Sequence, residues 1–479
     1  MADILTLTFP ARNKRCIANK RNIINDGLMD SKRDFFRRLS AIALPIMLQN
    51  LLSSSLSFID TLMIGQLGSD QIAAVGIANQ IFFLVNLFIF GIASGASIFF
   101  SQYYGAGRHK DLENVMGLAL TLSLAVSTVF AAVSFFSPKL PVSLFTDDPF
   151  VTAISASYQR WVAVSYMFFA VSYVHSIALR SVGCAAVPLV ASLISMTMNM
   201  VGNALLIFGI GPFPRLGAEG AAIATMLSRL TEMCIVMGYS YHGRYEFRIH
   251  GHSAFRWSPA FISVYIKTCL PVLLNEVLWS LGMTAYKIGY SKLGVDALAC
   301  INVSESIANF FFIFAMGLGH GTTILLGQIL GKGDTREAKS GASLILRTAF
   351  AIGCIMGLSM ALTAPLFAGL FNVSDEIRNM ASRCLFIKSA FQPLANMNMV
   401  LVVGILRAGG DTRYALFAET SCVWLIGVPM AFLGTAVLHL PIYAAVAMTS
   451  LDEAGKLLLC YPRYRSEKWI KSLAKPFDK

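Results

Sequence analysis

From Leu39 onward, this chain alternates long apolar runs with short polar breaks, and most runs exceed twenty residues. A helix needs about 20 residues to cross roughly 30 Å of hydrocarbon. The pattern therefore predicts membrane-spanning helices over about 39–64, 72–102, 115–137, 153–179, 187–209 and 218–241. A second set follows over about 262–290, 298–328, 341–363, 377–405, 414–436 and 439–460. The expected fold is an all-α integral membrane protein, with about 12 transmembrane helices in two pseudo-symmetric six-helix bundles.

The two sets are copies of one another. Leu44-Pro45 matches Leu270-Pro271, and Gly68, Gly91 and Gly95 match Gly294, Gly317 and Gly321. Gln102, Gly105 and Gly107 then match Gln328, Gly331 and Gly333, and Lys110-Asp111 matches Arg336-Glu337. Every pair is 226 residues apart, as 45 to 271 and 107 to 333 illustrate. Internal symmetry of this kind is found in transporters whose two bundles face each other across a substrate path. Both copies run the same way, so a twofold axis along the membrane normal is expected. Further on, Leu179-Arg180-Ser181-Val182-Gly183 resembles Leu406-Arg407-Ala408-Gly409-Gly410, one residue further apart. Each Arg is expected to close its lobe's fourth helix as a snorkelling or capping cation at the headgroups. The resulting plan is a basic arm 1–38, an N-lobe 39–241, a linker 242–261, a C-lobe 262–460 and a tail 461–479.

Composition agrees with a membrane fold. At 56% hydrophobic and 13% charged residues, with a mean hydropathy of +0.64, the chain has too little polar surface for a soluble fold of this length. Its net charge of +12 is not a nucleic-acid footprint. The basic residues sit at segment ends: the N-terminal arm, then Arg108 and Lys110, the 244–256 link, Lys332 to Lys339, and Arg463 to Lys471. By the positive-inside rule both termini are cytoplasmic, and the protein is multi-pass in the plasma membrane, which in a bacterium is the cytoplasmic membrane. The lead-in from Met29 is charged and amphipathic, and marks Met29 as the expected true start. Nine dispersed cysteines without CxxC spacing read as small buried side chains. His250-Gly251-His252 reads as basic loop. No HExxH, GxSxG or phosphate-loop motif is present, so neither an enzyme nor a cofactor is expected. A monomer in contact with the bilayer is.

Polar groups inside the helices carry the functional information, because a carboxylate in hydrocarbon costs roughly 2.5 to 3.5 kcal/mol on insertion scales. Asp60 lies well inside the first helix, and its repeat partner is Tyr286. Glu276 on the seventh helix faces Asn50 in the other copy, and Glu305 on the eighth faces Asn79. One lobe keeps an acid where the other keeps a neutral polar group, as expected if the lobes divide coupling from cargo. Asp60 is the candidate carrier of a coupling ion, a proton or a sodium ion, with neutral oxygens from Asn199, Asn203 and Thr225. Its bland alternative is a carboxylate that only fixes helix packing. Glu276 has two structural alternatives, a hydrogen bond from Asn275 and an ion pair with Lys388 on the tenth helix. Glu305 reads as cavity lining or network. Asp452, Glu453 and Lys456 have the spacing for mutual pairing.

These residues resemble the multidrug and toxic compound extrusion (MATE) family, over most of the chain from Leu39 to Trp469. The resemblance is carried by Leu44-Pro45, Asp60-Thr61, Gly65-Gln66-Leu67-Gly68, Ser101-Gln102 to Gly107, Asn199 to Asn203, Gly220 to Thr225 and the two Leu-Arg-x-x-Gly helix ends. It implies two six-helix lobes around a central cleft, and export of organic, often cationic, compounds in exchange for H+ or Na+. It also implies that Asp60, Asn199 and Thr225 belong to a cation site. Asn203 stands where some members carry a second Asp, and this departure leaves the identity of the ion open. Glu276 matches the seventh-helix acid of other branches only loosely, and the second-lobe cation site of those branches is not carried over. The expected cycle loads Asp60 from outside, relaxes the first helix near Pro45 against the fifth and sixth, lowers affinity for cargo in the cleft and rocks the emptied lobes inward. A flippase for lipid-linked saccharides is the alternative on the same plan; it calls for a cation-rich central cavity.

Overall fold

In hydrocarbon the backbone finds hydrogen-bond partners only in itself, and this chain is helical almost throughout. The structure, a computed structural model, describes residues 32–243, 245–371 and 373–474. The expected start at Met29 and most of the basic arm lie outside them. The N-lobe comprises α1 (Lys32–Gly65), α2 (Ser69–Gly105), α3 (His109–Phe136), a single turn at Lys139–Val142, α4 (Pro149–Ser181), α5 (Ala186–Phe208) and α6 (Ala218–His242). The C-lobe comprises α7 (Pro259–Ser291), α8 (Val295–Lys332), α9 (Thr335–Ala368), α10 (Asp375–Leu406) and α11 (Thr412–Val437). It ends with α12, in two pieces, Ile442–Thr449 and Leu451–Arg465. Among the described residues, α1 to α11 are each long and apolar enough to cross a membrane. The two pieces of α12, 8 and 15 residues long, are each too short to cross on their own.

Local chemistry sets the helix starts. Asp148 accepts hydrogen bonds from the backbone N–H groups of Phe150 and Val151, and Pro149 occupies the first position of α4. Ser258 with Pro259 does the same for α7. Most helices overrun their predicted spans, because backbone hydrogen bonding does not stop where hydrocarbon does. At 38 residues, α8 is nearly twice the length a bilayer requires.

The repeated glycines serve two purposes. Gly68 and Gly294 turn α1 into α2 and α7 into α8 with φ of 113° and 100°, a region that side chains resist. Gly105 and Gly331 instead admit the other lobe: a Cβ on either would come 2.0 Å from a carbonyl oxygen, that of Gln328 or Gln102 respectively. The backbones of α2 and α8 therefore cross in direct contact. Deeper along the same seam, Gly91 and Gly95 pack against Leu273 and Cys269 of α7, and Gly317 and Gly321 against Met47 and Ala43 of α1.

Each lobe lends its first helix to the other. Phe35, Leu39, Ile42 and Ile46 of α1 are buried in a C-lobe core with Leu326, Leu401 and Trp469. Phe261, Tyr265 and Cys269 of α7 are buried in an N-lobe core with Phe99, Tyr103 and Phe247. The other ends of α1 and α7 stay with their own lobes, where Ile64 and Tyr286 enter separate cores. Cross-lobe hydrogen bonds cluster at the face where α1 begins and α12 ends: Gln102 Nε2 donates to Ala408 O (2.7 Å), and Gln328 Nε2 to Ser181 O (2.7 Å). These two bonds are repeat images of each other.

Candidate functional site

Asp60 sits four turns past Pro45, on the part of α1 that has returned to the N-lobe. Its Oδ1 accepts a hydrogen bond from Asn203 Nδ2 of α5 at 2.7 Å. The same nitrogen lies 3.2 Å from Asn199 Oδ1, and Asn199 Nδ2 donates to Thr225 Oγ1 of α6 at 3.2 Å. Asn199 and Asn203 share a face of α5 through their four-residue spacing, and both are buried. The structure thus brings together all four residues singled out in the N-lobe, in one chain of hydrogen bonds across three helices. Tyr158 of α4, buried, stands within reach of both Thr225 and Asp60. Asn203 Oδ1 is buried beside the carboxylate without a hydrogen-bond partner. An acceptor in that position suits a proton or cation arriving at Asp60.

The C-lobe candidates fall into separate places. Glu276 Oε1 pairs with Arg407 NH2 at 2.7 Å, which corrects the expected alternative of a pair with Lys388. Its neighbour Asn275 turns away and donates to Glu419 Oε2 of α11 at 2.7 Å. Glu305 pairs with Lys287 at 2.8 Å, and Lys388, half-buried on α10, is near enough for their charges to be felt. Tyr286 donates to Asp452 Oδ2 at 3.0 Å. Lys456 bridges Asp452 (3.1 Å) and Glu453 (2.8 Å), the pairing that their spacing predicts. Asn79, the repeat partner of Glu305, is exposed on α2.

Arg180 and Arg407 need a larger correction. Neither snorkels: they are only 5% and 2% exposed. Arg180 donates to Gln49 Oε1, Gln49 Nε2 to Ser192 Oγ (2.7 Å) and Ser192 Oγ to Glu232 Oε1 (2.7 Å). Arg407 reaches Glu276 and, across the seam, Ser94 Oγ at 3.4 Å. A guanidinium brought this far inside is held by acceptors rather than by headgroups, because an unpaired charge there is too costly. In α10 the helix widens over Val400–Leu406, just before Arg407.

Sequence reasoning passed over Glu232 and Glu419. Both are intramembrane acids, so the cost argument that selects Asp60 selects them too. Arg229 was also missed. It pairs with Glu232 at 3.1 Å, lies 5.1 Å from the Phe169 ring centre, and is the cation whose charge reaches Asp60. An apolar recess lined by Met47, Phe310, Phe314, Ile352 and Met356 opens between α1, α8 and α9. It is well removed from Asp60 along α1.

Two helical lobes in pseudo-twofold relation, joined at one face and carrying interior polar clusters on their inner helices, define a membrane transporter. The family model MatE matches residues 45–205 and 271–433, one match in each lobe. The chain belongs to this family, the multidrug and toxic compound extrusion transporters. It is 25% identical over 434 residues to the uncharacterized transporter YisQ of Bacillus subtilis, covering 90% of this chain and 94% of that one. It is also 25% identical over 438 residues to the probable multidrug resistance protein YoeA of the same organism, covering 91% and 94%. Among solved structures, a MATE protein in complex with MaL6 superposes with a TM-score of 0.84 at 17% identity, over 94% of this chain and 98% of that one. A transporter of the MOP superfamily from Pyrococcus furiosus, described as having a binding pocket of reverse polarity, gives 0.83 at 18% identity over 95% and 99%. An outward-facing multidrug resistance MATE transporter gives 0.82 at 19% identity over 92% and 96%. At these identities the structural likeness speaks for the fold.

Proposed function

We propose that this protein is a secondary antiporter of the cytoplasmic membrane that exports organic cations in exchange for protons or sodium ions, with Asp60 as the carrier. The observation that supports this most directly is the hydrogen-bonded chain Asp60–Asn203–Asn199–Thr225, in which Asn203 Oδ1 is buried and unpartnered. A proton on Asp60 would donate to that oxygen; a sodium ion would draw on it together with the carboxylate. Either event removes the charge that Asn203 now satisfies, and so loosens α1 from α5. Because α1 is shared between the lobes, with Pro45 near the inner end of its C-lobe attachment, loading at Asp60 can be felt at the seam. The names of YoeA and of the outward-facing neighbour support multidrug cargo. Apolar and aromatic surfaces suit such cargo, since dispersion and desolvation demand little directional fit. Both termini are placed in the cytoplasm by the positive-inside rule. The flippase alternative calls for a surplus of interior cations; Arg407, Lys287 and Lys456 each have a carboxylate partner, and Arg180 is held by the Gln49 amide.

The test uses proteoliposomes loaded with a fluorescent cationic dye, with a proton or a sodium gradient imposed separately, for wild type and Asp60→Asn. One gradient should drive dye movement and the substitution should abolish it. The productive gradient names the ion. Folded protein that moves none of several dyes under either gradient would turn attention to lipid-linked substrates.

A further inference from the structure

After α12 the described residues, up to Ala474, stay against the protein. Trp469, 1% exposed, is sunk in the C-lobe core with Ile470 against it, and its backbone carbonyl lies directly on Gly409, where any Cβ would collide with it. Arg463 and Lys471 both bind Asp411 in the α10–α11 loop, at 2.7 and 2.8 Å. Glu467 pairs with Lys339 of α9 at 2.5 Å. These contacts fasten the segment Ser466–Ile470 to the C-lobe.

Its last described residues cross to the other lobe. Leu473 N–H donates to Gln102 Oε1 of α2 at 2.6 Å, and Gln102 Nε2 also lies 3.3 Å from Lys471 O. Arg108, just beyond α2, donates to Ala474 O at 2.9 Å. The side chains of Leu473 and Ala474 pack on the N-lobe core. Gln102 is the residue that also reaches Ala408 across the α2–α8 crossing. The tail is therefore tied into the bond that holds the lobes together at this face. The linker after α6 is the tail's counterpart in the repeat, and its described residues Tyr245 and Phe247 lie in the N-lobe core. The strap is not a by-product of duplication.

We infer that the C-terminal segment from Trp469 to Ala474 is a latch on the cytoplasmic face, anchored in the C-lobe and released from the N-lobe each time that face opens. This inference rests on the rocking-lobe antiport reading above. Separation of α2 from α8 carries Gln102 and Arg108 away from α10 while Trp469 remains with the C-lobe, so the contacts at 473–474 must break. The N-lobe end is held by three hydrogen bonds to a short backbone stretch, one of them long at 3.3 Å, and by two small apolar contacts, weak enough to let go. Bonds of that order bias an opening equilibrium by about 5- to 150-fold.

The test places a thiol at the crossing. Ser101 is fully buried on α2 with its side chain against Gly327 of α8, and Ser101→Cys preserves its shape. In liposomes, N-ethylmaleimide labelling of this cysteine is followed by peptide mass spectrometry in three backgrounds: the complete chain, a chain ending at Ser472, and Leu473→Pro, which removes the N–H donor to Gln102 and trims the side chain on the N-lobe core. Cys300 and Cys384, buried together within the C-lobe at 3.7 Å, report any general loosening. Labelling at 101 should rise at least fivefold in both variants while Cys300 and Cys384 do not change. Unchanged labelling at 101 in both variants would overturn the latch. So would an equal rise at all three cysteines, since the tail would then be a packing element. The readout needs neither cargo nor a gradient. A failed dye assay with altered labelling would thus sink the antiport reading and leave the latch standing.

Discussion

A guanidinium inside a membrane protein is tolerable only while every partner stays in place, and Arg407 shows the consequence. Removing one member of a buried pair leaves an uncompensated charge and costs about 3–5 kcal/mol, whereas replacing both with apolar groups is often neutral. Arg407→Met alone should therefore lower the thermal midpoint in detergent well below wild type. The double variant with Glu276→Leu should recover most of the loss; a double variant no better than the single would show that Glu276 is not the partner that matters. Asp411 lies in a loop outside the spans and gives a pH signature. Burial pushes its carboxyl up, but the hydrogen bonds and charges of Arg463 and Lys471 together outweigh burial and hold it below the usual carboxylate range. With the folded value below the unfolded one of about 3.9, its stabilisation is fully present above that pH and is lost as pH falls through the folded value. Asp411→Asn should melt earlier than wild type at neutral pH. The gap should close as pH is taken below about 4.

At the scale of elements, the seam depends on backbones that touch. Gly105 and Gly331 are where α2 and α8 meet, and nothing in α2's own sequence pattern distinguishes them from glycines kept for other reasons. Gly76, on the same helix, has open space around its Cα, with no atom within 4 Å of an added Cβ. Gly105→Ala forces apart two backbones and should cost about 1–3 kcal/mol, as overpacking does. Gly76→Ala should be neutral or slightly stabilising, through helix propensity. Thermal melts of the two variants in one detergent check the contrast, and equal midpoints would mean that the crossing is looser than described. The same distinction explains how the duplicated glycines were read. Their 226-residue spacing was plain in the sequence, but whether a given pair served a turn, like Gly68 and Gly294, or a close approach was not.

At the scale of the whole molecule, the protein is a duplicated bundle whose two copies have diverged in charge. The N-lobe holds a relay of amides and a hydroxyl ending on one carboxylate, Asp60, beside the ion pair Arg229–Glu232, while the C-lobe holds ion pairs around Arg407, Lys456 and Lys287. The sequence by itself determined the membrane, eleven of the expected spans, the duplication and the grouping of residues around Asp60. Each of these follows from one-dimensional regularities: run length against bilayer thickness, a constant spacing, and the cost of a polar group in an apolar run. Tertiary structure alone decided that Arg180 and Arg407 point inward, that Glu276 pairs with Arg407, that the lobes exchange the first halves of α1 and α7, and that the tail crosses the seam. Those outcomes depend on which acceptor lies within about 3 Å of a long side chain or a free backbone N–H. Residues from 40 to more than 300 positions away supply those acceptors, so no local pattern records the choice.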